Sequence, residues 1–142
     1  MSRKRRSNKR SVKRRSVKRK SNVRKSSVKR GGCNSGGKKL KLLSIKKSPK
    51  KEKKLVATFC KNGRIKQTHF GDSSAKNYCG PSGKGKFCHN DPLRRKRYLA
   101  RHSRGRENWN DPTSAGALSA LILWGKGTVR ENIGSFKRKF KL

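Results

Sequence analysis

Residues 54–70 read KLVATFCKNGRIKQTHF. Two runs with β character, 54–60 and 64–70, flank Asn62-Gly63, a dipeptide that supplies the positive φ angles of a tight hairpin turn. Val56, Thr58 and Ile65 suit a pleated strand, and Phe59 and Phe70 are the expected apolar anchors. Three helix signals follow the hairpin. Asp91-Pro92 places an N-cap before a proline at the first helical position and opens LRRKRYLARHSR. Most faces of that helix are cationic, which leaves Leu93, Tyr98, Leu99 and Ala100 to pack. Asp111-Pro112 repeats the signal before TSAGALSALILW, and Gly125 stops it. Thr128 to Glu131 forms a capping box, after which Val129, Ile133, Phe136 and Phe140 make one apolar stripe. The expected fold is α+β: a β-hairpin over about 54–70, helices over about 92–103, 112–124 and 128–140, and a Gly- and Ser-rich loop over 71–90.

Upstream of the hairpin the composition changes. Residues 1–50 hold 22 of the 44 Lys and Arg and none of the six Asp and Glu. So much like charge with so little apolar surface cannot offset the entropy of ordering, and the segment is expected to be disordered. From Ser11 it repeats in fives: SVKRR, SVKRK, SNVRK, SSVKR. A step of five turns about 140° around a helix, so Val12, Val17, Val23 and Val28 share no face. The repeat sets charge spacing along an extended chain. GGCNSGG at residues 31–37 marks a flexible joint. Leu40, Leu42, Leu43 and Ile45 beyond it could form a strand or a short helix. The expected organisation is a basic repeat tail at 1–30, a flexible linker at 31–52 and a small α+β domain at 53–142.

A chain with 22 cations in its first fifty residues and 22 cations against six carboxylates in the rest is built to meet a polyanion. Nucleic acid, DNA above all, is the expected partner, bound through phosphates. The residues expected to carry binding are Arg5, Arg6, Arg10, Arg14, Arg15, Lys18, Arg19, Arg24, Lys29 and Arg30 in the tail, Lys50 and Lys51 after the linker, and Arg94, Arg95, Arg97 and Arg101 on the basic helix. Ser48 to Lys51 read SPKK, similar to the minor-groove element of linker histones. A membrane is not expected as partner, because no apolar run approaches about 18 residues. The longest, AGALSALILW at 115–124, reads as a buried helix. The N-terminus lacks the apolar core of a secretory signal and would serve as a nuclear-localisation patch.

The elements Phe70-Gly71, HNDP (89–92), RYLARH (97–102), ENWNDPTSAGALS (107–119) and ILW (122–124) resemble a family of small basic proteins encoded by large DNA viruses of eukaryotes. The likeness spans roughly residues 54–140. Relatives read more like RYIARH…ENW…TAGFWSRWLLW, so Ala117, Leu118 and Ala120 here replace bulkier aromatic or basic residues. The resemblance implies a viral setting and an α+β domain; it implies no catalytic residue, since the family has no established activity. The expected protein is a non-enzymatic basic component of the virion, also present in the host nucleus or viral factory, that condenses or packages the genome. The alternative is a minor capsid protein whose tail threads between acidic capsid proteins.

Other chemistry is thinly supported. Cys60, His69, Cys79, Cys88 and His89, with Cys33 and His102 in reserve, include zinc-ligand types, but no C-x-x-C occurs. Reduced thiols without a stoichiometric metal are expected, with zinc and disulfides as the alternatives. Arg101, His102, Glu107, Asn108 and Asp111, together with His89 and Asp91, could imitate a metal nuclease. The structural reading makes Asp91 and Asp111 caps, pairs Glu107 with Arg101 or Arg104, and closes Trp109 over the core with Trp124. SGKGK at 82–86 reads as a basic loop. No catalytic residue, cofactor or small-molecule substrate is expected.

Overall fold

The computed structural model describes residues 32–105 and 107–142. The tail residues named above, and the disorder expected of them, lie outside the described residues. Three strands form an antiparallel meander: β1 (Leu40–Lys47), β2 (Lys53–Lys61) and β3 (Arg64–Asp72), in the order β1-β2-β3. Asn62 and Gly63 turn the β2–β3 hairpin with φ of 50° and 73°, as the dipeptide demands.

One face of the sheet is the core face. Leu55, Ala57 and Phe59 of β2 share it with Phe70 of β3, with Leu42 opposite Phe59 and Ile45 opposite Ala57 on β1. Leu42 and Ile45 are three residues apart and would point oppositely in a regular strand. A bulge between Leu42 and Ser44 restores the face and leaves Leu43 42% exposed. This corrects the flexible linker expected over 31–52, because residues 40–47 are an edge strand of the sheet. The bulge breaks the period of two, which is why the pattern LKLLSI did not declare itself.

After β3 come a two-residue parallel pair, β4 (Asn77–Tyr78) with β5 (Cys88–His89), and then α1 (Pro92–Ser103). The second helix is shorter and wider than the continuous helix expected over 112–124. Ser114 caps α2 (Ala115–Leu118), which runs directly into a π-helical segment, Ser119–Leu123. Asp111, expected to be the cap, instead accepts from the amide (2.9 Å) and hydroxyl (2.7 Å) of Thr113 in the preceding turn. The π segment ends with the Trp124 amide on the Ser119 carbonyl at 3.0 Å. Widening the turn by one residue sets Leu123 over Gly71 and turns Trp124 toward α1. Gly71, with φ of 74°, has no room for a side chain beneath Leu123.

Helix α3 (Val129–Phe140) starts on the expected capping box: Glu131 Oε2 accepts from the Thr128 amide at 2.7 Å, and the Glu131 amide donates to Thr128 Oγ1 at 3.4 Å. Its stripe packs on the core, with Phe136 1% exposed and Val129, Ile133 and Phe140 around it. Buried Asn132 fastens α3 to the π segment. Its amide donates to the Ile122 and Gly127 carbonyls at 2.9 and 2.8 Å, and its oxygen accepts from the Gly127 N–H at 3.0 Å. The side chain lies where a Cβ on Gly125 would sit.

The cysteines overturn the expectation of free thiols. Cys33 is bonded to Cys60, and Cys79 to Cys88, with Cα–Cα distances of 5.8 and 5.5 Å. The chain before β1 folds back along the outer edge of β3: Gly32 bridges Arg64, and the Cys33 amide donates to the Gly63 carbonyl at 3.1 Å. That return, 27 residues from its target, has no local signature. The second bond closes the 79–88 loop, pinning a segment that composition alone marks as loose.

Candidate nucleic-acid interface

Helix α1 begins where Asp91 Oδ1 accepts from the amides of Leu93 (2.8 Å) and Arg94 (3.1 Å). Those bonds, the Arg94 amide first, hold the Asp91 carboxyl below its usual range. None of the helix's residues is buried. Arg94, Arg97 and Arg101 stand at i, i+3 and i+7 and therefore share a face. They line a cleft of about 630 Å³, bounded by β3 and the π segment and floored by Phe70, Leu123 and Trp124.

The wall of this cleft is a ladder of rings. Tyr98 stacks on Trp124 with centroids 3.9 Å apart and planes 4° from parallel; His102 lies 4.2 Å from Tyr98. On the far side His89 is 4.9 Å from Trp124 and 5.8 Å from Tyr78. Burial, with Glu107 nearby, pushes the Tyr98 hydroxyl up to about 12, so it stays neutral. Both His89 ring nitrogens are buried without a hydrogen-bond partner, and burial, then Arg94, lowers its pKa. The ladder corrects the expected Trp109–Trp124 closure. Trp124 stacks on Tyr98, and Trp109 donates to Glu107 Oε2 at 3.2 Å. Glu107 meets His102 Nδ1 at 2.8 Å rather than Arg101 or Arg104.

The structure brings Arg94, Arg97 and Arg101 together and sets Arg95 apart. Arg95 Nε donates to the Trp124 and Gly125 carbonyls at 2.8 and 3.1 Å, and its guanidinium lies 5.5 Å from the Tyr78 ring. It clamps α1 to the core, so its role is at least partly structural. Lys50 and Lys51 lie elsewhere, in the turn joining β1 to β2. There Ser48, 8% exposed, shares a 2.8 Å hydrogen bond with His69 Nδ1 and accepts from the Lys50 amide at 3.1 Å. The SPKK stretch is thus a fixed hairpin turn. Leu93, expected to pack, is 62% exposed. Sequence reasoning did not single out Lys53 and Asn77 at the cleft edge, or the ladder itself; the spacing of Tyr78, His89, Tyr98 and Trp124 offers no local cue.

Five of the six acidic residues are engaged locally. Asp72 accepts from the Ser74 amide (2.8 Å) and hydroxyl (2.7 Å), and those bonds lower its pKa. Asp91 and Glu131 cap helices, Asp111 holds Thr113, and Glu107 holds His102 and Trp109. Among the described residues the one carboxylate contact with a basic side chain is the His102–Glu107 hydrogen bond, and no Lys or Arg makes one. Cations that are held are held by neutral groups. Lys66 donates to Thr113 Oγ1 at 2.7 Å, and Lys54 to Asn77 Oδ1 at 2.8 Å and to the Ala75 carbonyl. Burial lowers the Lys54 pKa, against a smaller opposing effect of Asp72.

Residues 43–102 match the model of a family of unknown function, DUF5754. The matched stretch runs from within β1 to the last turn of α1. It contains the SPKK turn, the hairpin and the Arg94–Arg101 face, and stops before the π segment. No curated protein and no solved structure matches the chain. Among the described residues no helix is long and apolar enough to cross a membrane.

Proposed function

We propose that this is a non-enzymatic basic protein of a virion that holds nucleic acid, DNA first, through its phosphates. The carrying observation is how little internal charge pairing there is among the described residues: five of the six carboxylates are engaged by caps, turns and one imidazole, and no Lys or Arg is in salt-bridge contact with any of them. A net charge of +38, with no Lys or Arg salt-bridged among the described residues, calls for an external polyanion. Arg94, Arg97 and Arg101 add a row of exposed guanidiniums on one helix face to the cationic tail, suited to bidentate phosphate contacts. Phosphate contacts position without specifying sequence, so little base preference follows. The resemblance to basic proteins of large DNA viruses supports genome packaging as the setting.

The test is the salt dependence of DNA binding by the full chain. With about ten phosphates neutralised, the log–log slope should lie near −9. Deleting residues 2–30 should cut it by more than half, and replacing Arg94, Arg97 and Arg101 with Ala should reduce it by about 2–3. A slope near −2 for the intact chain rejects the reading.

A further inference from the structure

A second groove lies on the other side of Lys53 and Asn77 from the arginine cleft. It measures about 600 Å³ and is floored by Leu55, Leu123 and Val129. Phe87 stands at its lip, 56% exposed, with Lys54 Nζ and Lys86 Nζ 5.8 and 5.9 Å from the ring centroid. Exposed Lys47, Lys50, Lys51 and Lys53 rim it, and no Asp or Glu lines it. Two fixed devices hold this shape. The Ser48–His69 hydrogen bond sets the β1–β2 turn that carries the lysines, and the Cys79–Cys88 bond anchors the loop that carries Phe87.

We propose that this groove docks a short acidic peptide segment of a partner protein, with one large apolar side chain seated on Leu55, Val129 and Phe87. Charge complementarity decides the flanks: four rim lysines outnumber the nearby carboxylates, Glu52 in the same turn and Asp72 beside Lys53, and suit Asp and Glu on either side of the anchor. The floor decides the centre. A nucleobase seated on Leu55, Leu123 and Val129 would meet donors only at the edges, at Asn77, Ser73 and the lysines, and burying its polar edges against the aliphatic floor is costly. An aliphatic or aromatic side chain has no such edges, and an exposed phenylalanine beside an apolar floor is the usual anchor for one. Lysines also fit here, since flexible point charges tolerate a segment of varied acidic spacing. The groove shares Lys53, Asn77 and Leu123 with the arginine cleft but none of its arginines, so the inference does not rest on nucleic-acid binding. Together the two faces would let one small domain join a polyanion to a protein.

The experiment uses the full chain and two peptides of identical acidic composition, one with a central Phe and one with Ala there. Anisotropy is read at physiological ionic strength. The tail binds both peptides equally through charge, so the ratio of their affinities isolates the groove. We expect the Phe peptide to bind about tenfold tighter. Phe87→Ala, at an exposed position, and Val129→Asp should bring the ratio toward one, and the pair Lys50→Glu and Lys51→Glu should weaken both peptides. Methyl resonances of Leu55 and Val129 should shift with the Phe peptide. Equal affinities, or a ratio unchanged by Phe87→Ala, would overturn the proposal. So would methyl shifts produced by a single-stranded oligonucleotide or by phosphatidylserine vesicles but not by the peptide.

Discussion

Helices α1 and α3 are each twelve residues long, each is capped by a side chain at its first turn, and each ends among cations. Their attachments differ in kind. The α3 helix sinks an unbroken stripe into the core, with Phe136 fully covered and Asn132 buried beside it. The α1 helix buries nothing completely. It is held by a ring stack at Tyr98, partial packing of Leu99 and the hydrogen bonds of Arg95. Hydrophobic burial makes α3 part of the fold; directional contacts with little area make α1 a displayed helix, whose Arg94, Arg97 and Arg101 stay exposed along the cleft it borders.

The largest expected effect is on α3. Phe136→Ala removes a fully buried ring and should cost about 3–5 kcal/mol, which approaches the whole stability of a domain this small. Leu99→Ala on α1 should cost roughly 1 kcal/mol, as befits a partly buried position. Chemical denaturation of both variants decides the matter, and equal losses would break the comparison. Next is Asn132→Leu, similar in size but unable to hydrogen-bond. It strands the Ile122 carbonyl and both polar groups of Gly127, at a cost of about 1–3 kcal/mol. A change in midpoint without a change in m would confirm a local loss.

A smaller effect sharpens the other side. Asp91→Ala removes the α1 cap and should lower the denaturation midpoint, whereas Asp91→Asn keeps an acceptor and should lower it much less. If both variants lose equally, charge rather than the hydrogen bonds to Leu93 and Arg94 fixes the start of the helix.

The α3 helix was legible because every cue for it is local: a capping box, then apolar residues at steps of four, three and four. The β2–β3 hairpin was legible for the same reason, through Asn62-Gly63 and the two phenylalanines. What the sequence hid depends on tertiary return. Leu43 masks β1 by breaking its alternation, and Cys33 reaches Cys60 only because the chain doubles back past Gly63. The π segment hid as well, since AGALSALIL reads as ordinary helix and only packing on Gly71 and α1 selects the wider turn. At the arginine face, the sequence placed Arg94, Arg95, Arg97 and Arg101 on one basic helix without separating their faces. The inward turn of Arg95 needed carbonyls 29 and 30 residues away.

The smallest expected effect is a pH dependence from the ladder that joins α1 to the core. His89 sits between Tyr78 and Trp124 with both nitrogens buried and unpaired. Burial, then the charges of Arg94 and Lys76, lower its pKa, and Asp91 opposes them incompletely. In the unfolded chain the imidazole titrates near its ordinary value of about 6.5. Below that pH the unfolded state takes up a proton that the folded state refuses, so stability falls with pH until the lowered folded value is passed. The lowered carboxyls of Asp72, Asp91, Asp111 and Glu131 give a second loss, present only as pH falls through about 4 and below. The two windows separate. Melting temperature should therefore drop between pH 7.5 and 5 in the parent and stay nearly level there in His89→Phe, which keeps a ring in the ladder without a titrating group. A parent curve that is flat over that interval, or a variant that falls as steeply, would mean the imidazole accepts its proton in place. The contact between α1 and the core would then be wetter and looser than the Tyr98–Trp124 stack implies.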